Sequence, residues 1–363
     1  MNDDTTKAET MRTVVGGVDT HRDTHTAAAV DDSGRNLGTE TFPATTEGYR
    51  TLLGWLQGFG TIRSIGIEGT GSYGAWLARF LTAAGETILE VNRPNRQDRR
   101  RHGKSDPADA VSAALSTLSG RAAGTPKSHD GPVEVMRLVR AQRRSAIKAR
   151  TQAANQIHAV LSSAPEELRT QFKTNGVGAI VKRALRFRRV SCASITEATR
   201  RVLRGLESRW TLLDREVDDL DDQLDDLVRT AAPDLVALKG VGAEVASALL
   251  VAVGDNPARL ANEPSFAALC GVSPVDASSG RQHRHSLNRG GNRDANRALW
   301  VIAFVRIRCD ERTQLYMQRR TSEGLSKMEI LRCLKRYIAR EVFGILKVLA
   351  TSGKDLRSTP IAA

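Results

Sequence analysis

Between residues 12 and 118 the chain switches between short apolar runs and stretches with helical spacing. Thr13–Val18, Thr26–Val30 and Gly38–Phe42 read as three successive strands, with turn residues Asp31, Asp32, Ser33 and Gly34 between the last two. Helical spacing follows over Tyr49–Leu56, then a strand over Ile62–Glu68 and a helix over Ala75–Ala84. A strand over Thr87–Val91 and a helix beginning near Asp106 complete the series. Three strands followed by alternating helices and strands is the element order of an RNase H-like α/β domain, expected over residues 1–120. Gly120–Pro132 (GRAAGTPKSHDGP) reads as a linker.

Beyond the linker the pattern is helical, so the fold class expected is α/β plus all-α. Leu203, Leu206, Trp210, Leu213, Val217, Leu220, Leu224 and Leu227 recur at alternating spacings of three and four, an unbroken a/d seam. Its outer positions are acidic (Asp218, Asp219, Asp221, Asp222, Asp225, Asp226). The seam predicts a dimeric coiled coil; an intramolecular helical hairpin buries the same positions. Pro233 ends that helix. We therefore expect a helical, basic region with a coiled coil over 133–232, a mostly helical domain over 233–350 and a loose tail over 351–363.

Charge narrows the partners. The 363 residues carry 54 Lys and Arg against 41 Asp and Glu, a formal net charge of +13. That balance suits nucleic acid, with an anionic membrane surface as the competitor. No run of about 18 or more apolar residues predicts a membrane span, and Met1–Arg12 lacks an apolar signal core. A cytoplasmic protein is expected. Cys192, Cys270, Cys309 and Cys333 form no CxxC pair, which suggests neither a zinc site nor a disulfide framework. Aromatic residues make up 4% of the chain, so base stacking is not the obvious mode of binding. Val135–Ala164 contains no acid, while Arg137, Arg140, Arg143, Arg144, Lys148 and Arg150 fall inside it, predicting a phosphate-facing helix. A second basic run is Lys182, Arg183, Arg186, Arg188 and Arg189.

Four acids suggest chemistry. Asp19 ends the first strand in VVGGVDTH, Glu68 ends a later one in SIGIEGTG, and Asp106 and Asp109 open a helix in KSDPADA, one turn apart. In an RNase H-like sheet the two strands are neighbours and the helix packs beside them. Clustered carboxylates repel unless a cation neutralises them, and hard oxygen ligands suit magnesium or manganese. Taken alone, Asp106 with Pro107 and Asp109 makes an ordinary helix start, with Asp106 as the N-cap. Gly69, Gly71 and Gly74 also spell GxGxxG between a strand and a helix, with Glu90 ending the next strand, so a dinucleotide-binding oxidoreductase competes. Against it, Glu68 would face the pyrophosphate, and three strands precede the fingerprint. Further on, Gly240 and Gly242 in LKGVGAEVASALL suit a helix-hairpin-helix phosphate clamp. Ser278, Ser279 and Gly280 form a turn ringed by Arg281, Arg284, Arg289, Arg293 and Arg297, where serine would meet phosphorus among cations.

In this order the motifs resemble those of the DEDD transposases of bacterial insertion sequences that encode a structured guide RNA, the bridge-RNA-guided recombinases. GVDTH, GIEGTGSYG and KSDPADA match the acidic motifs of the family's RuvC-like domain. LKGVGAEVASALL, FAALCGVSPVDASSG and NRGGNRDANRALW match its C-terminal transposase domain. The resemblance implies Asp19, Glu68, Asp106 and Asp109 as the metal-binding quartet and Ser279 as the nucleophile that joins DNA covalently, with Ser278 beside it. It implies double-stranded donor and target DNA, a guide RNA, and a dimer that pairs into a tetramer, with acids and serine from different protomers. A Holliday-junction resolvase using metal-activated water is the sibling alternative.

Overall fold

The computed structural model describes residues 12–91, 105–122, 124–172, 176–184, 193–278 and 285–351. The chain divides into two compact units, one ending at His129 and one from Asp130 onward.

The first unit is built on β1 (Thr13–Thr20), β2 (Thr24–Asp31), β3 (Asn36–Pro43), β4 (Thr61–Glu68) and β5 (Ile88–Val91), with α1 (Thr46–Gln57), α2 (Ala75–Ala83) and α3 (Asp106–Leu118). The sheet order is β3-β2-β1-β4-β5. The first three strands pair antiparallel, while β1, β4 and β5 run parallel. This mixed sheet is consistent with an RNase H-like fold. A doubly wound dinucleotide fold does not place an antiparallel hairpin at its start. Glu90, the ribose-binding candidate of that rival, instead accepts a hydrogen bond from the Thr70 hydroxyl at 3.1 Å.

One face of the sheet buries Val18, Ile65 and Ile67 against Leu52, Leu56, Leu77 and Leu81 of α1 and α2. The other face, with Val15 and Val30, receives α3 through Ala114. There the contact is unusually close. Gly17 and Gly66 are side by side in the parallel β1–β4 register. A Cβ on Gly17 would lie 2.7 Å from the Cα of Ala114, and nearer still to that residue's nitrogen and the Ala110 carbonyl. A Cβ on Gly66 would lie 2.9 Å from Val91 Cγ2 and 3.2 Å from the Ala113 carbonyl. Two adjacent glycines thus make a floor without side chains, and the alanines of α3 rest on it.

The second unit holds α4 (Pro132–Ser162), α5 (Glu166–Phe172), α6 (Val177–Ala184), α7 (Ile195–Ala231), α8 (Pro233–Val236), α9 (Ala243–Val253) and α10 (Glu263–Leu269). A two-stranded ribbon, β6 (Val275–Asp276) and β7 (His285–Ser286), precedes α11 (Arg293–Cys309), α12 (Glu311–Ser322) and α13 (Lys327–Thr351). One core joins Val133 and Met136 of α4 with Leu224 and Val228 of α7 and with residues of α9, α11 and α13. The boundary expected at 232/233 therefore does not divide the packing. No helix among the described residues is long and apolar enough to cross a membrane.

The a/d seam lies on α7, and its cover comes from the same chain. Helices α4 and α7 run antiparallel, as the Arg150–Asp214 and Arg143–Asp221 pairs require. Leu203 joins a small core with Ile157, Leu161 and Phe172, against which Leu206 and Trp210 are half-buried. Val217, Leu220 and Leu224 are buried as well. Within the chain the seam forms the intramolecular hairpin, with Leu206, Trp210, Leu213 and Leu227 left half-buried; heptad spacing specifies a buried stripe, not which helix covers it. Asp218, Asp219, Asp222 and Asp226 remain exposed on the outward face.

Candidate functional site

The glycine floor positions the acids. Side chains alternate along a strand, so Asp19 follows Gly17 on the face that receives α3, and Glu68 follows Gly66 on the same face. The β1–β4 register, with Val18 beside Ile67, sets Asp19 and Glu68 at neighbouring strand ends. Because α3 lies so close, its first turn reaches Asp19. Ser105, not Asp106, is the N-cap, accepting the Ala108 N–H at 3.4 Å. The helix start expected from sequence is thereby shifted by one residue, which frees the Asp106 carboxylate from capping.

Asp19 and Asp109 are both 8% exposed. His21, two residues beyond Asp19 and so on the same face, sits between two acids. Its Nε2 is 3.2 Å from Asp19 Oδ2 and 3.2 Å from Asp106 Oδ1. One donor atom from each of Asp19, His21 and Asp106 lies within 4.8 Å of the others. Burial raises the Asp19 pKa above the usual carboxylate range, the charge on His21 opposes this, and Asp109 and Asp106 push it further up. Buried Asp19 and Asp109 and the half-exposed Asp106 thus repel one another, opposed in part by one imidazole. Such a donor set fits a hard divalent cation. His21 escaped the sequence reading, although its place in the alternation of GVDTH carried the signal.

The basic helix is different from its expectation. Arg140 is 7% exposed and donates to the Glu244 carbonyl at 2.6 Å and the Ser247 hydroxyl at 2.7 Å, with the Glu244 carboxylate at 3.0 Å. Arg143 pairs with Asp221, Arg150 with Asp214, Arg144 with Asp294, and Arg137 with Glu134. The helix is therefore not a row of unpaired cations: acids of α7, α9 and α11 pair with Arg140, Arg143, Arg144 and Arg150, and Glu134 of α4 itself pairs with Arg137. Lys148 alone of the six is exposed without a described ion pair.

Gly240 has φ of +84° and lies against the backbone of α11, where a Cβ would meet the Ile302 carbonyl at 3.3 Å. Gly242 caps α9, and Arg306 of α11 donates to the Lys239 carbonyl at 2.8 Å, anchoring the turn. Arg289, Arg293 and Arg297 are exposed. Ser279, Gly280, Arg281 and Arg284 lie outside the described residues, as do Arg186, Arg188, Arg189 and Cys192. Ser278 is described, and its hydroxyl and N–H both donate to Asp276 Oδ1, at 2.5 and 2.9 Å. The hydroxyl of Ser278 holds the Asp276 pKa below its usual value, which leaves that carboxylate a weak base.

Residues 16–164, which include all four acids, match the DEDD transposase model of IS110, and residues 233–318 match the model of the IS116/IS110/IS902 transposase family. The chain carries IS110-family transposase domains. It is 30% identical over 149 residues to an uncharacterized 43.6 kDa protein of insertion element IS110 from Streptomyces coelicolor, a stretch covering 40% of this chain and 36% of that one. It is 26% identical over 149 residues to an uncharacterized 42 kDa protein of insertion element IS900 from Mycobacterium paratuberculosis, covering 40% and 37%. The match thus spans 36% and 37% of the length of these relatives of the transposase domains.

Proposed function

We propose that this chain is a cytoplasmic DNA transposase that cuts and rejoins strands of an insertion element. The observation that carries the reading is the convergence of Asp19, His21, Asp106 and Asp109 under α3, in a segment matching a transposase model. Asp19, Glu68, Asp106 and Asp109 would hold magnesium or manganese. The bound ion would activate the attacking oxygen and stabilise the leaving oxygen at phosphorus. His21 would orient the Asp19 and Asp106 carboxylates by its Nε2.

Ser279 is the proposed nucleophile. Its Oγ forms a bond to phosphorus as a strand P–O bond breaks, the serine proton is lost, and the departing DNA oxygen gains one. The number of phosphodiester linkages is unchanged, so no ATP is required. Ser278 is tied to a weakly basic Asp276, which favours its neighbour for the attack. Gly240, Gly242, Lys148, Arg281, Arg284, Arg289 and Arg293 are proposed contacts to nucleic acid. By its resemblance to the guided recombinases, the transposase would take its sequence choice from a structured RNA and assemble from dimers into a tetramer.

The test incubates labelled element DNA, the element's RNA and magnesium with the wild type and with Asp19→Asn and Ser279→Ala. The wild type should form a protein–DNA adduct, and both variants should lose it. In EDTA, Asp19→Asn should melt no lower than the wild type, since it removes a desolvated charge. Free ends with no adduct would favour a water nucleophile, and full activity in excess EDTA would end the metal reading.

A further inference from the structure

Several cations of the second unit have carboxylate partners, among them Arg144 with Asp294, Arg306 with Glu341 and Arg336 with Glu263. One cluster that gathers around a single cavity does not. Arg289, Arg293 and Arg297, at and before the start of α11, and Arg332 and Lys335 of α13 line a cavity of about 540 Å³. Among the described residues none of these five has a carboxylate within ion-pair distance, and no acid lines the cavity. Lys335 donates to Asn296 Oδ1 at 2.9 Å, a neutral acceptor. That amide is fixed because its Nδ2 donates to the carbonyls of Cys270 and Gly271 at 2.8 and 3.2 Å. Burial and the nearby Arg332 lower the Lys335 pKa, so its charge has a cost that a bound anion would relieve. The N-terminus of α11 adds its own positive field.

Beside Asn288, Asn292 and Asn296, part of the wall is apolar. Leu287, Met328 and Leu331 line it together with Trp300. Trp300 stacks on Phe304 with ring centroids 5.1 Å apart, yet 40% of it remains exposed. A bare phosphate needs the cations and has no use for this wall. A nucleotide needs both, since every base has a π face that stacks on an aromatic ring. The chain enters this wall directly from β7 of the ribbon that also carries Asp276 and, just beyond it, Ser278.

We propose that the cavity takes one unpaired nucleotide of a DNA strand, its phosphate among Arg293, Arg297 and Lys335 and its base against Trp300. This rests on the reading of the chain as a DNA transposase and adds a pocket for a strand opened beside the serine turn. In a chain poor in aromatic residues, a single placed tryptophan supplies the stacking that composition argues against.

The test needs no catalysis. The full chain is titrated in EDTA with a fluorescent single-stranded DNA dodecamer carrying one 2-aminopurine, with the same sequence as RNA, and with the duplex, over a range of salt. Single-stranded DNA should bind tighter than duplex, and the 2-aminopurine signal should change on binding. Trp300→Leu should weaken binding roughly tenfold and abolish that change, whereas Trp300→Phe should retain most of both. Arg293→Gln with Lys335→Gln should flatten the slope of log affinity against log salt by about 1.4 for a single strand. Arg312→Gln with Arg319→Gln, away from the cavity, should lower affinity without altering the 2-aminopurine response. Melting temperatures of all variants separate lost folding from lost binding. Equal binding of duplex together with an inert Trp300→Leu would overturn the proposal, and so would a clear preference for RNA. Loss of strand cleavage in the proposed active site would leave these readouts untouched.

Discussion

Gly17→Ala tests whether the glycine floor sets the acid site. The added methyl would sit 2.7 Å from the Ala114 Cα, where carbon atoms normally approach to about 3.5–4.0 Å. Both obstructing groups are backbone, so no side chain can turn aside, and α3 must lift from β1 by about 1 Å to restore that separation. Overpacking of this kind costs about 1–3 kcal/mol. At about 4 °C per kcal/mol for a unit of this size, the melting temperature should fall by several degrees. The larger consequence is chemical, because Asp106 and Asp109 travel with α3 while Asp19 stays on the strand. A misplacement of about 1 Å can cost about 10²-fold in rate. The assay is magnesium-dependent cleavage of labelled element DNA, with thermal unfolding measured on the same sample. Gly54→Ala is the contrast: this exposed position in α1 has open space around it, and the change should stabilise by roughly 1 kcal/mol and leave cleavage intact. Wild-type rate and melting temperature in Gly17→Ala would refute the argument.

His25 is wholly buried and stacks on Tyr49 at 5.5 Å, and burial lowers its pKa. The unfolded chain then takes up a proton that the folded chain refuses, so stability should hold above the ordinary histidine value of about 6.5 and fall below it. As pH falls through and below about 6.5, the melting temperature should drop less for His25→Phe than for the wild type, and equal slopes would contradict the linkage. Leu220→Lys places a charge between α7 and α4, so it should cost about 3 kcal/mol or more and unfold the hairpin by circular dichroism. A well-folded variant that merely dissociates from dimer to monomer would restore the two-chain coiled coil.

The strands and helices of the first unit were legible because alternation and turn residues are local signals, and β1 to α3 appear where the pattern put them. The acids were legible too, as ends of strands and the start of a helix. What the sequence did not reveal was the reason they meet. Gly17 and Gly66 look like ordinary strand glycines until the parallel register sets them side by side. His21 was overlooked because a lone histidine after an acid has no spacing signature of its own. The basic stretch of α4 misled for a related reason. A count of charges along one helix omits the carboxylates that other helices bring to it, and Arg140 ended up buried by Glu244 and Ser247 from a segment more than a hundred positions away. The heptads of α7 identified what is hidden but not the helix that hides it.

The outward carboxylates of α7 have a consequence for traffic around the molecule. Asp218, Asp219, Asp222 and Asp226 form a keep-out zone for polyanions on a protein whose overall charge attracts them. Their field reaches about 10 Å into solution at 0.1 M salt, enough to deflect a phosphate backbone sliding over the second unit. Strands would be herded toward the other sides of that unit, and this ridge should stay accessible to solvent and protease when nucleic acid covers the rest.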